Sequence, residues 1–168
     1  MRLALFVWAV YAVIIAGIVA VQPDRRTVTP EYREACEEWW GGRDIYEVRM
    51  HGYLYLPHAA ILYTPFAALP VRVGEPLWRL VSLGLLAWSV WRLARRFGGS
   101  RAGLWFLIAT VSALPASFSA ARNGQMNLAM AALLALAAMD LGIRAWNRSS
   151  LWLLLSLAFK PLGLVPCL

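Results

Sequence analysis

The one lysine among 168 residues, Lys160, stands in the apolar stretch from Leu151 to Leu168 and is followed at once by Pro161, Gly163 and Pro166. A lysine about 13 Å along a membrane helix costs roughly 2.5 kcal/mol or more unless it faces a cavity, a counter-ion or a ligand. A helix that breaks beside such a cation frees backbone groups and opens space, a setting for an anionic ligand. The plainer reading has the ammonium snorkel to an interface or pair with a distant acid.

Three other groups carry chemistry. The run Arg122-Asn123-Gly124-Gln125-Met126-Asn127 sets a guanidinium, three amides and a permissive glycine at a helix start, where backbone N–H groups favour an anion; it also reads as a simple capped turn. Tyr53 and Tyr55 share one side of an extended segment that ends at His58. Their rings and hydroxyls suit a sugar or a lipid headgroup, and equally a routine interfacial belt. His58 has no orienting partner or metal-ligand mate in sight. Seven of the nine acids (Asp24, Glu31, Glu34, Glu37, Glu38, Asp44 and Glu47) fall within 22–52. Glu31, in the first turn of a predicted helix, and Asp44, just before Ile45-Tyr46, are the candidate general bases, with Glu34, Glu37 and Glu38 as a solvated face. Asp140 and Arg144, four residues apart, read as a local ion pair. No metal-ligand spacing and no phosphate-cradling glycine loop is visible, so neither metal, cofactor nor nucleotide is expected.

These residues need a membrane scaffold. The chain is 61% hydrophobic and 15% charged, with a mean hydropathy of +0.59, more apolar than a soluble domain of this size can bury. Its +7 charge comes from 16 basic residues against 9 acidic ones. The arginines sit in short loops between apolar runs, as orientation signals do; they make no basic face, which argues against nucleic acid. Residues 3–21, 77–94, 102–121, 126–143 and 151–168 are predicted to cross the bilayer. The first lacks a small-x-small cleavage site and reads as an anchor.

Placing Arg2, Arg92, Arg95, Arg96, Arg101, Arg144 and Arg148 in the cytoplasm puts 22–52 outside. It also leaves 53–71, with Pro57, Pro65 and Pro70, as a re-entrant or interfacial segment. A layout in which 53–71 crosses fully would put the arginine cluster of 92–101 outside. Within the outer loop, Thr29-Pro30 predicts a helix start and Gly41-Gly42 its stop. Tyr32, Ala35, Cys36, Trp39 and Trp40 then form one apolar face of an interfacial helix. Cys36 and Cys167 make no disulfide framework. The fold expected is therefore all-α, a multi-pass transmembrane helix bundle whose extracytoplasmic first loop carries an interfacial amphipathic helix. The abrupt apolar end at Leu168 suits an N-terminal fragment of a longer bundle.

Read in order, Gly42-Arg43-Asp44-Ile45-Tyr46, Tyr53-Leu54-Tyr55-Leu56-Pro57, Gly124-Gln125-Met126-Asn127 and Lys160-Pro161 resemble the membrane-embedded GT-C glycosyltransferases. The resemblance is to glycosyltransferase family 87 in particular, the polyprenyl-phosphate-mannose-dependent alpha-1,2-mannosyltransferases. Two departures stand out. Leu56 occupies the place of the first of two prolines, and no aspartate sits within Val28 to Glu31, near which the family has its loop aspartate; Glu31 is the nearest acid. The resemblance implies an inverting, metal-independent transferase in a bacterial-type plasma membrane. It would move a sugar, mannose first among candidates, from a polyprenyl-phosphate donor to a glycan or glycolipid hydroxyl on the extracytoplasmic face. In that reading Lys160 and Arg122 hold the donor phosphate. Gln125, Asn127, Tyr53, Tyr55 and His58 position sugar and acceptor, and Glu31 or Asp44 takes the proton. The alternatives are a transporter or lipid-binding membrane protein without catalysis, to which a broken helix with a lysine is also suited, and a scaffolding subunit.

Overall fold

The computed structural model describes residues 1–46, 53 and 55–160. Its helices are α1 (Arg2–Val21), α2 (Thr29–Trp40), α3 (Pro57–Ala67), α4 (Val71–Gly98), α5 (Ala102–Asn123), α6 (Asn127–Leu141) and α7 (Trp146–Phe159), with a 3-10 turn, Gly99–Arg101, between α4 and α5. No strand occurs among the described residues. Two stretches, Arg2–Val21 and Val71–Asn123, are long and apolar enough to cross a membrane, and α6 is a shorter apolar helix. Leu3, Phe6, Val13 and Ile14 of α1 and Leu104, Trp105, Ile108 and Val111 of α5 lie on the surface. Apolar faces of this size are stable against lipid and unstable against water.

Helix α4 is the centre of the packing, with α1, α5 and α6 against it, α7 on α6, and α2 paired with α3. Trp8, Ile15, Leu83, Phe106 and Leu128 close the core between α1, α4, α5 and α6. Inside it the Trp8 indole donates to Thr110 Oγ1 at 3.0 Å, so neither polar atom is left unpaired among apolar neighbours. A second core of Tyr32, Cys36, Tyr53, Tyr63, Trp78 and Met126 fixes α2 and α3 onto the start of α4. The Cys36 thiol is buried and donates to the Ala60 carbonyl at 3.0 Å.

The two ends of the molecule differ in chemistry. Arg92, Arg95 and Arg96 from the end of α4 and Arg148 from the start of α7 gather around Asp140 at the end of α6. The opposite end collects α2, α3, the first turns of α4 and the α5–α6 turn. The Val28 N–H bonds the Asn123 carbonyl at 3.0 Å there, and the Trp78 indole bonds the Gly124 carbonyl at 2.8 Å. Gly124 sits at φ +69 and closes α5; its N–H reaches the Ala121 carbonyl and that of Gln125 the Ala120 carbonyl, a Schellman ending.

Three local expectations change. The N-cap of α2 is Val28, because the Thr29 side chain turns inward instead of capping. Glu38 is buried and does not share the solvated face of Glu34 and Glu37. Asp140 and Arg144 do not form the local pair: α6 stops at Leu141, and Arg144 lies beyond it at φ +57. The Asp140 carboxylate is instead bound by Arg92 at 2.7 Å, by Arg148 at 3.3 Å and by the Trp152 indole at 2.9 Å. Helix α7 ends at Phe159, and Lys160 is extended (φ −149, ψ 145), as steric conflict with the following proline ring favours. Pro161, Gly163, Pro166 and Cys167 lie outside the described residues, as does Glu47.

Candidate active site

Helix α2 forms because Pro30 presets the first turn and Gly41-Gly42 ends it, with Gly42 at φ +66. Its Tyr32, Ala35 and Cys36 are buried, while Trp39 and Trp40 stay exposed and the Trp40 indole donates to Thr64 Oγ1 of α3 at 2.9 Å. Helix α3 starts on Pro57 and carries Pro65 within it. The Ala59 N–H is held by the Leu56 carbonyl at 2.9 Å.

Four tyrosines meet where these elements converge. The Tyr32 hydroxyl donates to the Tyr55 hydroxyl at 2.9 Å, and the Tyr46 hydroxyl donates to the Tyr55 carbonyl at 2.9 Å. The Tyr53 ring stands 5.6 Å from that of Tyr55 and 6.2 Å from that of Tyr46. Lys160 comes to this group from the end of α7: its Nζ lies 4.7 Å from the centre of the Tyr55 ring, a cation–π contact. Because Tyr55 already accepts from Tyr32, its own hydroxyl hydrogen is left to donate. Burial, and then the bond to Tyr55, pushes the Tyr32 phenol well above its usual range; burial does the same for Tyr53. These phenols therefore act as neutral donors at physiological pH.

The other expected residues spread around the same end. Asp44 is exposed, and its Oδ1 accepts the Tyr46 N–H at 2.8 Å, which ties it to the tyrosine group through the backbone. Glu31 is half-buried in the first turn of α2, and its Oε2 has no hydrogen-bond partner among the described residues. His58 is exposed in the first turn of α3. The Asn127 amide donates to Gln125 Oε1 at 3.3 Å, so these two amides face each other. Arg122 lines a separate cleft of about 540 Å³ with Arg26, Thr27, Ser119 and Asn123. Lys160, Tyr53 and Tyr55 are thus brought together, whereas Arg122 stands in its own cleft.

Sequence reasoning missed the most heavily bonded carboxylate at this end. Glu75, 1% exposed in the first turns of α4, accepts from Thr29 Oγ1, from Arg33 Nε at 3.1 Å, from the Tyr63 hydroxyl at 2.8 Å and from Arg79. Arg79 is equally buried and also donates to Thr27 Oγ1 at 2.8 Å. Arg33 completes its bonds on the Ala67, Leu69 and Phe66 carbonyls at 2.7, 3.1 and 3.1 Å. The hub joins α2, α3 and α4. Because Tyr32 stacks edge-on against Tyr63 with ring centres 5.4 Å apart, it supports the tyrosine group from beneath. A readable signal existed: Glu75 and Arg79, four residues apart, are charges carried into a mostly apolar helix.

The sequence profile of glycosyltransferase family 87 matches residues 53–168, well over half of the chain. The match contains Tyr53, Tyr55, Glu75, Arg79, Arg122 and Lys160; α1 and α2, with Glu31 and Asp44, precede it. No curated protein and no solved structure gives a match.

Proposed function

The chain belongs to glycosyltransferase family 87, and we propose that it transfers a sugar, with mannose the first candidate, from a polyprenyl-phosphate donor to a hydroxyl of a glycan or glycolipid on the extracytoplasmic side of the plasma membrane. The family and the apolar helices point to a membrane protein. In the topology we propose, α1, α4, α5, α6 and α7 form the multi-pass bundle of a GT-C fold, with the arginine-rich end in the cytoplasm. Helices α2 and α3 then lie at the outer face.

The observation that carries this reading is the position of Lys160. The chain's one lysine reaches the tyrosine group of the loop at the end of the molecule where α2 and its acids lie. In the reaction, the acceptor hydroxyl oxygen forms a bond to the anomeric carbon while the bond from that carbon to the phosphate oxygen breaks. Attack from the opposite face inverts the configuration. The leaving polyprenyl phosphate keeps the electron pair, and the Lys160 ammonium balances its charge. Arg122, in its own cleft at the same end, offers a second cationic contact for phosphate. The hydroxyl proton passes to a loop carboxylate. Glu31 suits this role through an Oε2 with no hydrogen-bond partner among the described residues, whereas Asp44 has Oδ1 engaged by Tyr46. Tyr53, Tyr55, Gln125, Asn127 and His58 present rings, hydroxyls, amides and an imidazole to sugar and acceptor. No step needs a metal or cofactor.

The test is transfer from a polyprenyl-phosphate mannose donor by the full-length protein and by E31Q, D44N and K160Q, each measured separately. Loss of the base is expected to lower turnover about 10²–10⁴-fold. K160Q is expected to raise KM for the donor and lower turnover together. Unchanged turnover in all three would overturn the mechanism.

A further inference from the structure

At the end of the molecule remote from Lys160, α4, α6 and α7 enclose a cleft of about 510 Å³ whose lining includes Trp91, Arg92, Arg95, Arg96, Arg148 and Trp152. Its only acid is Asp140, fully buried, whose two oxygens are taken by Arg92, Arg148 and the Trp152 indole. Arg95 and Arg96 have no carboxylate partner among the described residues. Four guanidinium groups against one carboxylate leave a surplus of three positive charges in a cleft with aromatic walls. Arg95 lies over the Trp91 ring at 5.0 Å and Arg92 over Trp88 at 5.7 Å, while Trp88 and Trp152 meet edge to face at 5.7 Å. Arg92 is turned to Asp140, whereas Arg95, held over Trp91, keeps its N–H groups for an oxyanion.

Two features select the kind of anion. The cleft sits at the ends of apolar helices, where a membrane protein meets the headgroup layer, and tryptophan is at home at that depth. Trp88 and Ile143, which line it, remain 38% and 44% exposed, so its rim is apolar as well as cationic. A soluble phosphate would use only the arginines, whereas a phospholipid would use both. Basic pockets between helices at the cytoplasmic surface are suited to anionic headgroups. We infer that this cleft binds the phosphodiester headgroup of an anionic phospholipid, with Arg95 and Arg96 as its phosphate ligands and Asp140 holding Arg92 and Arg148 in place. The inference stands apart from sugar transfer, since it uses none of the residues assigned to that reaction.

The test uses the full chain in dodecyl maltoside micelles doped with dioleoylphosphatidylglycerol, with dioleoylphosphatidylcholine, or with inorganic phosphate alone. Phosphatidylglycerol is expected to raise the thermal midpoint, and its dibrominated form to quench tryptophan fluorescence; the other two additions are expected to do neither. In R95Q/R96Q the apparent affinity for phosphatidylglycerol should fall about thirtyfold, the sum of two arginine contributions at a membrane surface. R95K/R96K should lose less, and R101Q, which removes a charge at the same end but outside the cleft, should change nothing. An equal response to phosphatidylcholine, an equal loss in R101Q, or an equal effect of inorganic phosphate would each overturn the proposal. If R95Q/R96Q does not fold, the comparison of the three additions on the unaltered protein decides it.

Discussion

Arg33 Nε donates to Glu75 Oε1 across 3.1 Å, and through that bond the acid-rich loop helix is fixed to the first turns of the central helix. Thr29 and Tyr63 add their hydroxyls to the same carboxylate, and Arg79 closes it from within α4. One buried acid therefore sets the relation of α2 and α3 to the rest of the protein. The tyrosine group that Lys160 approaches rests on this arrangement.

E75Q is expected to destabilise the protein by about 3–5 kcal/mol, because it leaves Arg79 buried, and Arg33 beside it half-buried, without a counter-charge. R33Q should cost less, since Arg33 is at the rim of the hub and the Glu75–Arg79 pair survives. Unfolding by heat or denaturant in detergent measures both, and an E75Q midpoint equal to that of the unaltered protein would refute the hub's role.

Gly124→Ala should lower stability more than Gly42→Ala. Both positions have positive φ, +69 and +66, so both substitutions strain the backbone by about 1 kcal/mol or more. At Gly42 a new methyl meets nothing within 4 Å, whereas at Gly124 it would come 2.5 Å from Arg79 Cζ and 2.7 Å from Thr29 Cγ2. Paired thermal melts check the order.

Tyr55→Phe keeps the ring under Lys160 and removes the hydroxyl, both as acceptor of the Tyr32 bond and as a donor to substrate, so a small rise in donor KM is expected. Tyr55→Leu removes the cation–π partner too, a loss of about 0.5–2 kcal/mol of Lys160 positioning, or roughly two- to thirtyfold in kcat/KM. Steady-state kinetics with a polyprenyl-phosphate sugar separate the two, and equal values would refute a role for the ring.

Alkaline pH should destabilise the loop. Burial raises the phenols of Tyr32 and Tyr53 in the folded chain, so above the ordinary tyrosine range, about pH 10, the unfolded chain loses protons that the folded chain keeps. The stability these neutral phenols contribute is complete below about pH 10 and falls as pH rises past it. Melting midpoints between pH 8 and 11 report this, with Tyr32→Phe and Tyr53→Phe showing a shallower decline.

Local sequence rules reached some of this and not the rest. Thr29-Pro30 and Gly41-Gly42 bracket α2 because proline and glycine act on their own backbone, and the apolar length of α1 needs no partner to be seen. Lys160 was visible because a cation among apolar residues demands an explanation. Glu75 makes the same demand, yet its partners Thr29, Arg33 and Tyr63 come from other helices, 46, 42 and 12 residues away, and no local spacing reveals them. The Asp140–Arg144 expectation failed for a related reason: the i,i+4 rule needs a continuous helix, and this one stops at Leu141. The actual partner, Arg92, is 48 residues away.

Helix α3 has 11 residues, about 16 Å of length, roughly half of what a hydrocarbon layer about 30 Å thick would need. Backbone carbonyls left unpaired where water is excluded would each cost several kcal/mol. Arg33 covers three of them, on Phe66, Ala67 and Leu69, with a guanidinium whose own charge is already matched by Glu75. The arginine thus takes the place of water at the C-terminal end of a helix too short to cross a bilayer, and keeps that end bonded where the packing of α2 and α4 shuts water out.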